Sequence, residues 1–352
     1  MSRSPSTLTA RLGVLLATFI LVLAACAGGT ASPSAPSTTT PTTAATASPT
    51  AAPTPAPTPS ASAVAAFPAT LTDDEGTTVT LATEPAKIVS LTPAVTETLF
   101  AIGAGDRVVA TDDSSDYPAE AQPLPDVVTF GTVDVEKIVA LDPDLVIAGG
   151  AGFTSAESIA QIRALGIPVL VVSTPSIEGI YKDIELVGTA VGEADAATEL
   201  TTTMRTDMDA IATAAAAESA KTAQPPRVFY DVGFIDVTGQ IYGPGKGSFL
   251  AEMVAMLGVD VIEGDAVTYE VPLETLIDRD PEVIILGTNA FYAPTPEIIA
   301  KRPGWSALSA VKGGDVRSVS DTEITRPGPR LATGMRNLAL AMYPDLVLPP
   351  AS

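Results

Sequence analysis

The 352-residue chain contains no histidine, one cysteine (Cys26) and one tryptophan (Trp305). Without histidine there is no His-ligated zinc, no His-bound haem iron and no Ser-His or Cys-His catalytic pair. A single cysteine rules out an intramolecular disulfide. Basic residues are scarce: 19 Lys and Arg face 41 Asp and Glu, a formal net charge of −22. Residues 1–66 contain no Asp or Glu and only Arg3 and Arg11, so the remainder carries −24. That surplus argues against a nucleic-acid partner and against a polybasic membrane-binding face.

Arg3 and Arg11 precede an uncharged apolar run, Leu12 to Ala25, with the pattern of a secretory signal. The run ends in Leu23-Ala-Ala-Cys26, which resembles a bacterial lipobox. That resemblance implies cleavage before Cys26 and lipidation of its thiol. Competing accounts are an uncleaved membrane helix and a soluble secreted form. Each buried acyl methylene contributes roughly 0.8 kcal/mol, so several chains would hold the protein at a membrane face. Residues 27–66 are Ala, Thr, Pro, Ser and Gly with hardly a large apolar side chain. Such a segment buries too little to offset its ordering entropy and reads as a disordered tether. In a polyproline-like form it would reach on the order of 120 Å.

What the chain does contain is one phrase said twice. Glu136-Lys-Ile-Val-Ala-Leu-Asp-Pro-Asp-Leu-Val-Ile-Ala-Gly149 returns 138 positions later as Glu274-Thr-Leu-Ile-Asp-Arg-Asp-Pro-Glu-Val-Ile-Ile-Leu-Gly287. Each copy reads as a short helix opened by an acid, an Asp-Pro stop, and a buried strand ending at Gly. A second echo pairs Thr96-Glu-Thr-Leu-Phe-Ala-Ile-Gly103 with Ala251-Glu-Met-Val-Ala-Met-Leu-Gly258. Two related α/β lobes are the simplest reading; chance recurrence of a common α/β phrase is the competing one.

Within the first lobe, Phe67–Leu81 predicts an edge hairpin turning at Asp74-Glu-Gly76. Lys87–Leu91 predicts a buried strand, and Thr92-Pro93 a helix with Thr92 as N-cap and Glu97 in its first turn. Arg107–Ala110 predicts a strand, with Ser115-Asp-Tyr-Pro118 a loop at its C-terminal side, where open α/β sheets bind ligands. From Glu193 to about Ala220 there is no Gly or Pro, and Leu200, Met204, Met208, Ile211 and Ala215 form one apolar stripe. A helix of that extent would be about 42 Å long, enough to cross between lobes; a coiled-coil dimer helix is the alternative. In the second lobe Arg227–Val232 predicts a strand. Gly243-Pro-Gly-Lys-Gly-Ser248 lacks Walker spacing and predicts a turn and helix start at the cleft. Arg326-Pro-Gly-Pro-Arg330 is expected to open the last helix.

Ile88 to Glu97, Ser115-Asp-Tyr-Pro118 and the Glu136–Gly149 block, in this order and spacing, resemble the iron-siderophore, haem and vitamin B12 substrate-binding lipoproteins of ABC importers. The likeness covers roughly residues 67–347 and is closest to the cobalamin-binding members, through Ser-Asp-Tyr-Pro and the aromatic Phe130 where the family usually has tryptophan. It implies two similar α/β lobes with central sheets, joined by one long backbone helix and enclosing a ligand cleft. The expected boundaries are 1–25 signal peptide, 26–66 lipid-attached cysteine and tether, 67–190 N-terminal lobe, 191–222 linking helix and 223–352 C-terminal lobe.

The resemblance also implies that Glu136 and Glu274 dock onto arginines of two permease subunits, one acid per lobe. The plainer account is that each acid favours its own helix N-terminus. For the cleft, Tyr117 and Phe130 are nominated from the first lobe and Tyr242, Tyr269, Asp321 and Arg326 from the second, because a large flat chelate is held mainly by aromatic contact with a few orienting polar groups. Arg326 is expected to pair with a ligand anion, Asp321 or Glu323; Arg330 and Trp305 are read as structural. No catalytic residue, resident cofactor or protein-held metal is expected. The expected partners are an ABC permease dimer with its ATPase subunits and a small metal chelate, the chain itself being a monomer. A corrinoid is the first choice of chelate, a ferric siderophore the second and haem the third, with Tyr117 or Tyr242 as conceivable iron ligands. The alternatives from other classes are a surface hydrolase using a carboxylate cleft, for which no nucleophile–base set is visible, and a purely structural lipoprotein, against which the duplicated acids argue.

Overall fold

Side chains alternate along residues 69–81, and the chain forms an antiparallel hairpin of β1 (Ala69–Thr72) and β2 (Thr78–Leu81). Its turn is tied by Asp73, whose Oδ1 accepts from the N–H groups of Glu75 (3.1 Å) and Thr77 (2.7 Å), a side chain standing in for a backbone acceptor. This computed structural model describes residues 67–352 apart from 151, 236–237 and 290–291. The signal, Cys26 and the tether expected over 1–66 lie outside the described residues.

Buried apolar runs supply the first sheet. β3 (Ile88–Ser90), helix α1 (Pro93–Ala101), β4 (Val108–Asp112), β5 (Asp126–Thr129), β6 (Thr132–Val133), α2 (Val135–Leu141), β7 (Leu145–Gly149), α3 (Ala156–Ala164) and β8 (Val169–Val172) follow in turn. The strands lie in the order β6-β5-β4-β3-β7-β8, parallel except at β5–β6. Two details depart from expectation. Thr92 occupies the N-cap of α1 but makes no capping bond; its side chain lies against Gly149 at the cavity wall instead. Glu97 sits beyond the first turn, and is buried.

Two helices then lead out of the first sheet: α4 (Ile177–Val191), closed by Gly192 at φ 82, and α5 (Ala194–Ser219). α5 has 26 residues, about 39 Å. It buries Ala197, Thr201, Met204, Met208, Ile211, Ala215 and Ser219, one stripe at helical spacing.

The second lobe comprises β9 (Arg227–Asp231), a hairpin of β10 (Gly233–Ile235) and β11 (Gln240–Tyr242), α6 (Phe249–Met256), β12 (Asp260–Val261), α7 (Leu273–Arg279), β13 (Val283–Thr288), α8 (Pro296–Ile299), α9 (Ser309–Gly313), β14 (Val316–Ser320), α10 (Thr322–Thr325) and α11 (Leu331–Met342). Its sheet is wholly parallel, in the order β12-β9-β13-β14. That matches β4-β3-β7-β8 strand for strand, so β5 and β6 are an extra edge of the first lobe. The prolines of Arg326–Arg330 precede α11 rather than opening it. Gly328 instead runs close to the Ala94 carbonyl of α1, where a Cβ would lie 3.3 Å from the oxygen.

Among the described residues three apolar clusters hold the fold. One fills the outer side of the first sheet and another that of the second. The largest is shared: Leu99, Ile180 and Ile184 meet Met253, Met335 and Leu338 across α5 through Met204, Met208 and Ile211.

Candidate functional site: the cleft between the lobes

In each sheet the order of connection reverses at the first strand, β3 or β9. Open α/β sheets bind ligands at the C-terminal ends of strands at such a point. A cavity of about 640 Å³ opens there. The first lobe contributes Thr92, Asp112, Ser114, Gly149, Phe153 and Asp183 among others, and the second contributes Ser248, Phe249, Tyr269, Thr325, Arg326 and Pro327. Ser248 caps α6 by accepting from the Ala251 N–H at 3.2 Å. The glycine-rich loop is therefore a helix start at the cleft.

The rings at the cleft are held by unusual backbone. Phe130 has φ 48 and Tyr269 φ 60, the left-handed region that β-carbon-bearing residues avoid. Phe130 heads the β5–β6 turn with Gly131 at φ 74, and its N–H donates to Asp113 Oδ2 at 2.7 Å. The ring is 92 % exposed, and the next residue, Gly131, lines the cavity. Tyr269 lies over Gly245, where a Cβ would meet the ring at 2.1 Å, so glycine is required there. Each aromatic stands five or six residues before a duplicated acid, one ring per lobe. A strained residue presenting an exposed ring is a functional signature.

Glu97, 2 % exposed, organises the seam. Its Oε1 accepts from Arg326 Nη1 (2.9 Å) and Arg330 Nη2 (2.6 Å), and its Oε2 from Arg330 Nε (2.9 Å). Arg326 also reaches Asp116 Oδ1 (2.6 Å) and the Ser114 carbonyl (3.0 Å), and Arg330 reaches Glu323 Oε1 (3.1 Å). The expected pairing of Arg326 with Asp321 or Glu323 gives way to this pairing across the lobes, because the Arg326–Arg330 segment passes close to α1 at Gly328. Tyr117 lies under the Arg330 guanidinium, 4.3 Å from ring centroid to carbon.

Of the six nominated cleft residues, Tyr269 and Arg326 line the cavity, Phe130 adjoins it in the chain through Gly131, and Tyr117 lies three residues beyond the lining Ser114. Tyr242 and Asp321 do not line it. Tyr242 is half-buried in β11, bridged to Glu270, with its ring beside Gly233. Asp321 is buried, accepts from Asn289 Nδ2 at 3.2 Å, and has its carboxyl raised above the usual range by burial.

Sequence reasoning missed Phe153, Phe249, Asp112 and Asp183. Phe153 was detectable, since the same 138-residue shift carries it onto Phe291, which itself lies outside the described residues. Burial pushes the Asp183 carboxyl up to about 8, with the Asp74 carboxylate adding to the effect. Burial likewise raises Asp112, against the lowering influence of the Ser115 hydroxyl at 2.5 Å and the Ser114 N–H at 2.9 Å. Ser115 continues a hydroxyl chain through Thr96 to Ser90, each step 2.8 Å.

Glu136 and Glu274 occupy the first turns of α2 and α7, both exposed. Both helices end on an aspartate in the left-handed conformation, Asp142 (φ 51) and Asp280 (φ 42), directly before proline. Among the described residues no helix is long and apolar enough to cross a membrane, and no group of acids, cysteine or histidine is arranged to hold a metal ion.

Comparison with known proteins bears on this architecture. A family described as "Periplasmic binding protein" matches residues 88–322. The uncharacterized ABC transporter substrate-binding lipoprotein YvrC of Bacillus subtilis is 35 % identical over 285 residues, 79 % of this chain and 87 % of that one. A cobalamin-binding protein of Halobacterium salinarum is 29 % identical over 295 residues, 80 % of this chain and 76 % of that one. Among solved structures, the periplasmic heme-binding protein RhuT of Roseiflexus sp. RS-1 superposes with a TM-score of 0.64 at 26 % identity, covering 73 % of this chain and 98 % of that one.

Proposed function

The chain belongs to the periplasmic binding protein family, and from that premise we propose that it is a lipid-anchored, extracytoplasmic receptor that captures a corrinoid and delivers it to an ABC importer. The observation that carries the reading is the cleft at the C-terminal strand ends, with one backbone-strained aromatic on each side and apolar walls. Binding a flat macrocycle through ring contact, with few polar groups fixing orientation, suits such a surface. A cobalamin-binding relative favours this guest over others. Tyr269, Phe130, Phe153 and Phe249 supply the contact, and Arg326 and Asp183 the polar edge. No step of bond chemistry is needed for this task.

Glu136 and Glu274 serve as the permease contacts, one carboxylate per lobe. Cys26 carries the anchor, in keeping with the lipoprotein named among the relatives. Haem is the second reading, favoured by RhuT. Its iron would have to take Tyr269 rather than Tyr242, since only Tyr269 lines the cavity.

Titrating the protein's intrinsic fluorescence with cyanocobalamin, haem and a ferric hydroxamate ranks the guests. The expected order places cyanocobalamin first. A saturable response to haem or the hydroxamate alone replaces the corrinoid, and turnover of an ester or glycoside with no binding replaces the receptor reading altogether. Glu136→Ala with Glu274→Ala is expected to leave guest affinity intact and stop uptake, and Cys26→Ser to release the protein from the membrane fraction.

A further inference from the structure

The two helices that carry Glu136 and Glu274 repeat more than the acid. Residue by residue from 136 to 141 and from 274 to 279, the order of exposed and buried positions is the same. Ile138 and Leu276 are fully buried anchors. One residue later, Val139 and Ile277 point outward, 43 % and 39 % exposed. An acid and an apolar side chain three residues apart share one face of a helix, so each lobe presents the same two-part surface.

A single exposed valine or isoleucine is ordinary. This pair is not, because the 138-residue shift that relates the lobes carries one onto the other. Of the other exposed apolar residues, Phe153 in the cleft shares this property, being carried onto Phe291, whereas those away from the cleft do not: Leu165 maps onto Pro303, Ile298 onto Ala160 and Leu340 onto Thr202. Both helices are also fixed in place. Lys87 Nζ donates to the carbonyl of Leu141 at 3.3 Å, and Arg227 Nε donates to the matching carbonyl of Arg279 at 2.9 Å. In the first lobe the acid also borders a hollow of about 480 Å³ formed with Thr129, Thr132, Val133 and Gln161.

We infer that Val139 and Ile277 are docking residues that act together with the two acids, and that the partner is a two-fold-symmetric membrane protein offering, on each half, a basic side chain with an apolar recess about one helical turn away. The inference rests on the permease reading proposed above and adds the apolar half of the contact. Charge selects the occupant. The chain carries −22, so an acidic pair such as Glu136 and Glu274 repels a second copy of itself and attracts a basic surface. Apolar contacts beside a charge pair exclude water from it and thereby strengthen it.

The test uses the full-length chain in its native cells, with a benzoylphenylalanine photocrosslinker placed singly at 139, 277, 137, 275 or 165. Positions 139 and 277 are expected to attach to one and the same integral membrane polypeptide, and position 165 to none. Val139→Ser with Ile277→Ser is expected to lower attachment from 137 and 275 about tenfold, with the melting temperature unchanged. If 137 and 275 capture the membrane polypeptide while 139 and 277 do not, or the serine pair leaves the yield as it was, the acids dock alone and this inference is wrong. If none of the four positions attaches, the permease reading of these helices fails with it. Attachment to another copy of this chain, or a melting temperature lowered by the serine pair, also overturns the proposal.

Discussion

In the first lobe the Asp144 carboxylate accepts from the Lys87 N–H at 2.8 Å; in the second the Glu282 carboxylate accepts from the Arg227 N–H at 3.0 Å. The matched acids, the Asp-Pro stops and the fully buried Ile138 and Leu276 repeat as faithfully. At the floor of the cleft the likeness ends. The first lobe uses the hydroxyl chain Ser90, Thr96 and Ser115 ending on Asp112. The second buries an ion pair, Arg302 Nη1 to Asp231 Oδ2 at 2.7 Å, with the Tyr292 hydroxyl donating to the same oxygen at 3.0 Å. Arg302 also lies over Phe234 and Trp305, 4.0 and 4.6 Å from their ring centroids. The lobes thus agree at the helices that carry Glu136 and Glu274 and differ in the polar groups they bury beneath the strand ends. A symmetric partner outside and an unsymmetric guest inside would impose that division.

The sharpest way to break this comparison is at the two floors. Arg302→Met removes the counter-ion of the buried Asp231 and is expected to cost about 3–5 kcal/mol in urea denaturation. Ser115→Ala in the first lobe is expected to cost about 1 kcal/mol. Equal losses would show that the floors bear similar loads. The seam gives the next largest contrast. Glu97→Gln, which weakens three charge-assisted bonds, is expected to cost about 2 kcal/mol. Glu252, at the echoing position in α6, accepts among the described residues only from the Ile177 N–H at 2.9 Å, and its replacement by Gln should cost under about 1 kcal/mol. Larger damage from Glu252→Gln would invert the roles assigned to the two sides.

The strained aromatics provide a test in which stability and binding move apart. Phe130→Gly and Tyr269→Gly are each expected to weaken cyanocobalamin binding about tenfold, while leaving stability unchanged or raising it by up to about 1 kcal/mol. Loss of stability with unchanged affinity would make the ring in question a packing residue. A pH effect centred on Asp183 of the first lobe completes the comparison. The Asp183 carboxyl, held up to about 8 in the folded chain against an ordinary value near 4, keeps its proton on folding at intermediate pH. The folded state then binds more protons than the unfolded one, so this group's contribution to stability is lost as pH rises from about 4 to about 8. Melting curves across that range should show the fall, and Asp183→Asn should reduce it, the buried Asp112 and Asp321 contributing the rest.

Much of the fold was legible in the chain because it rests on local patterns. The Asp-Pro stops, the β-branched strands and the unbroken stripe through Met204, Met208 and Ile211 each reflect a short-range rule, and repetition at a constant shift made them hard to misread. The cleft was less legible. Tyr269 and Arg326 were found, but Tyr242 and Asp321 lie off the cavity, because whether a side chain at a strand end points into a cleft or beneath it depends on sheet twist and on neighbours far away in sequence. Glu97 illustrates the limit: its partners are more than 200 residues distant, and nothing near Glu97 announces them. Asp183 was missed for the same reason, since its raised pKa arises from burial and from Asp74, more than a hundred positions earlier.

The apolar cluster that runs beneath both sheets sets a limit on how the protein can let go. Swinging the halves wide would strip Met208, Met253 and Leu338 of their neighbours and wet them together, a penalty no small guest repays by leaving. Thermal motion alone should therefore move the jaws only slightly, and the moment of discharge passes to whatever external grip takes hold of both halves at once.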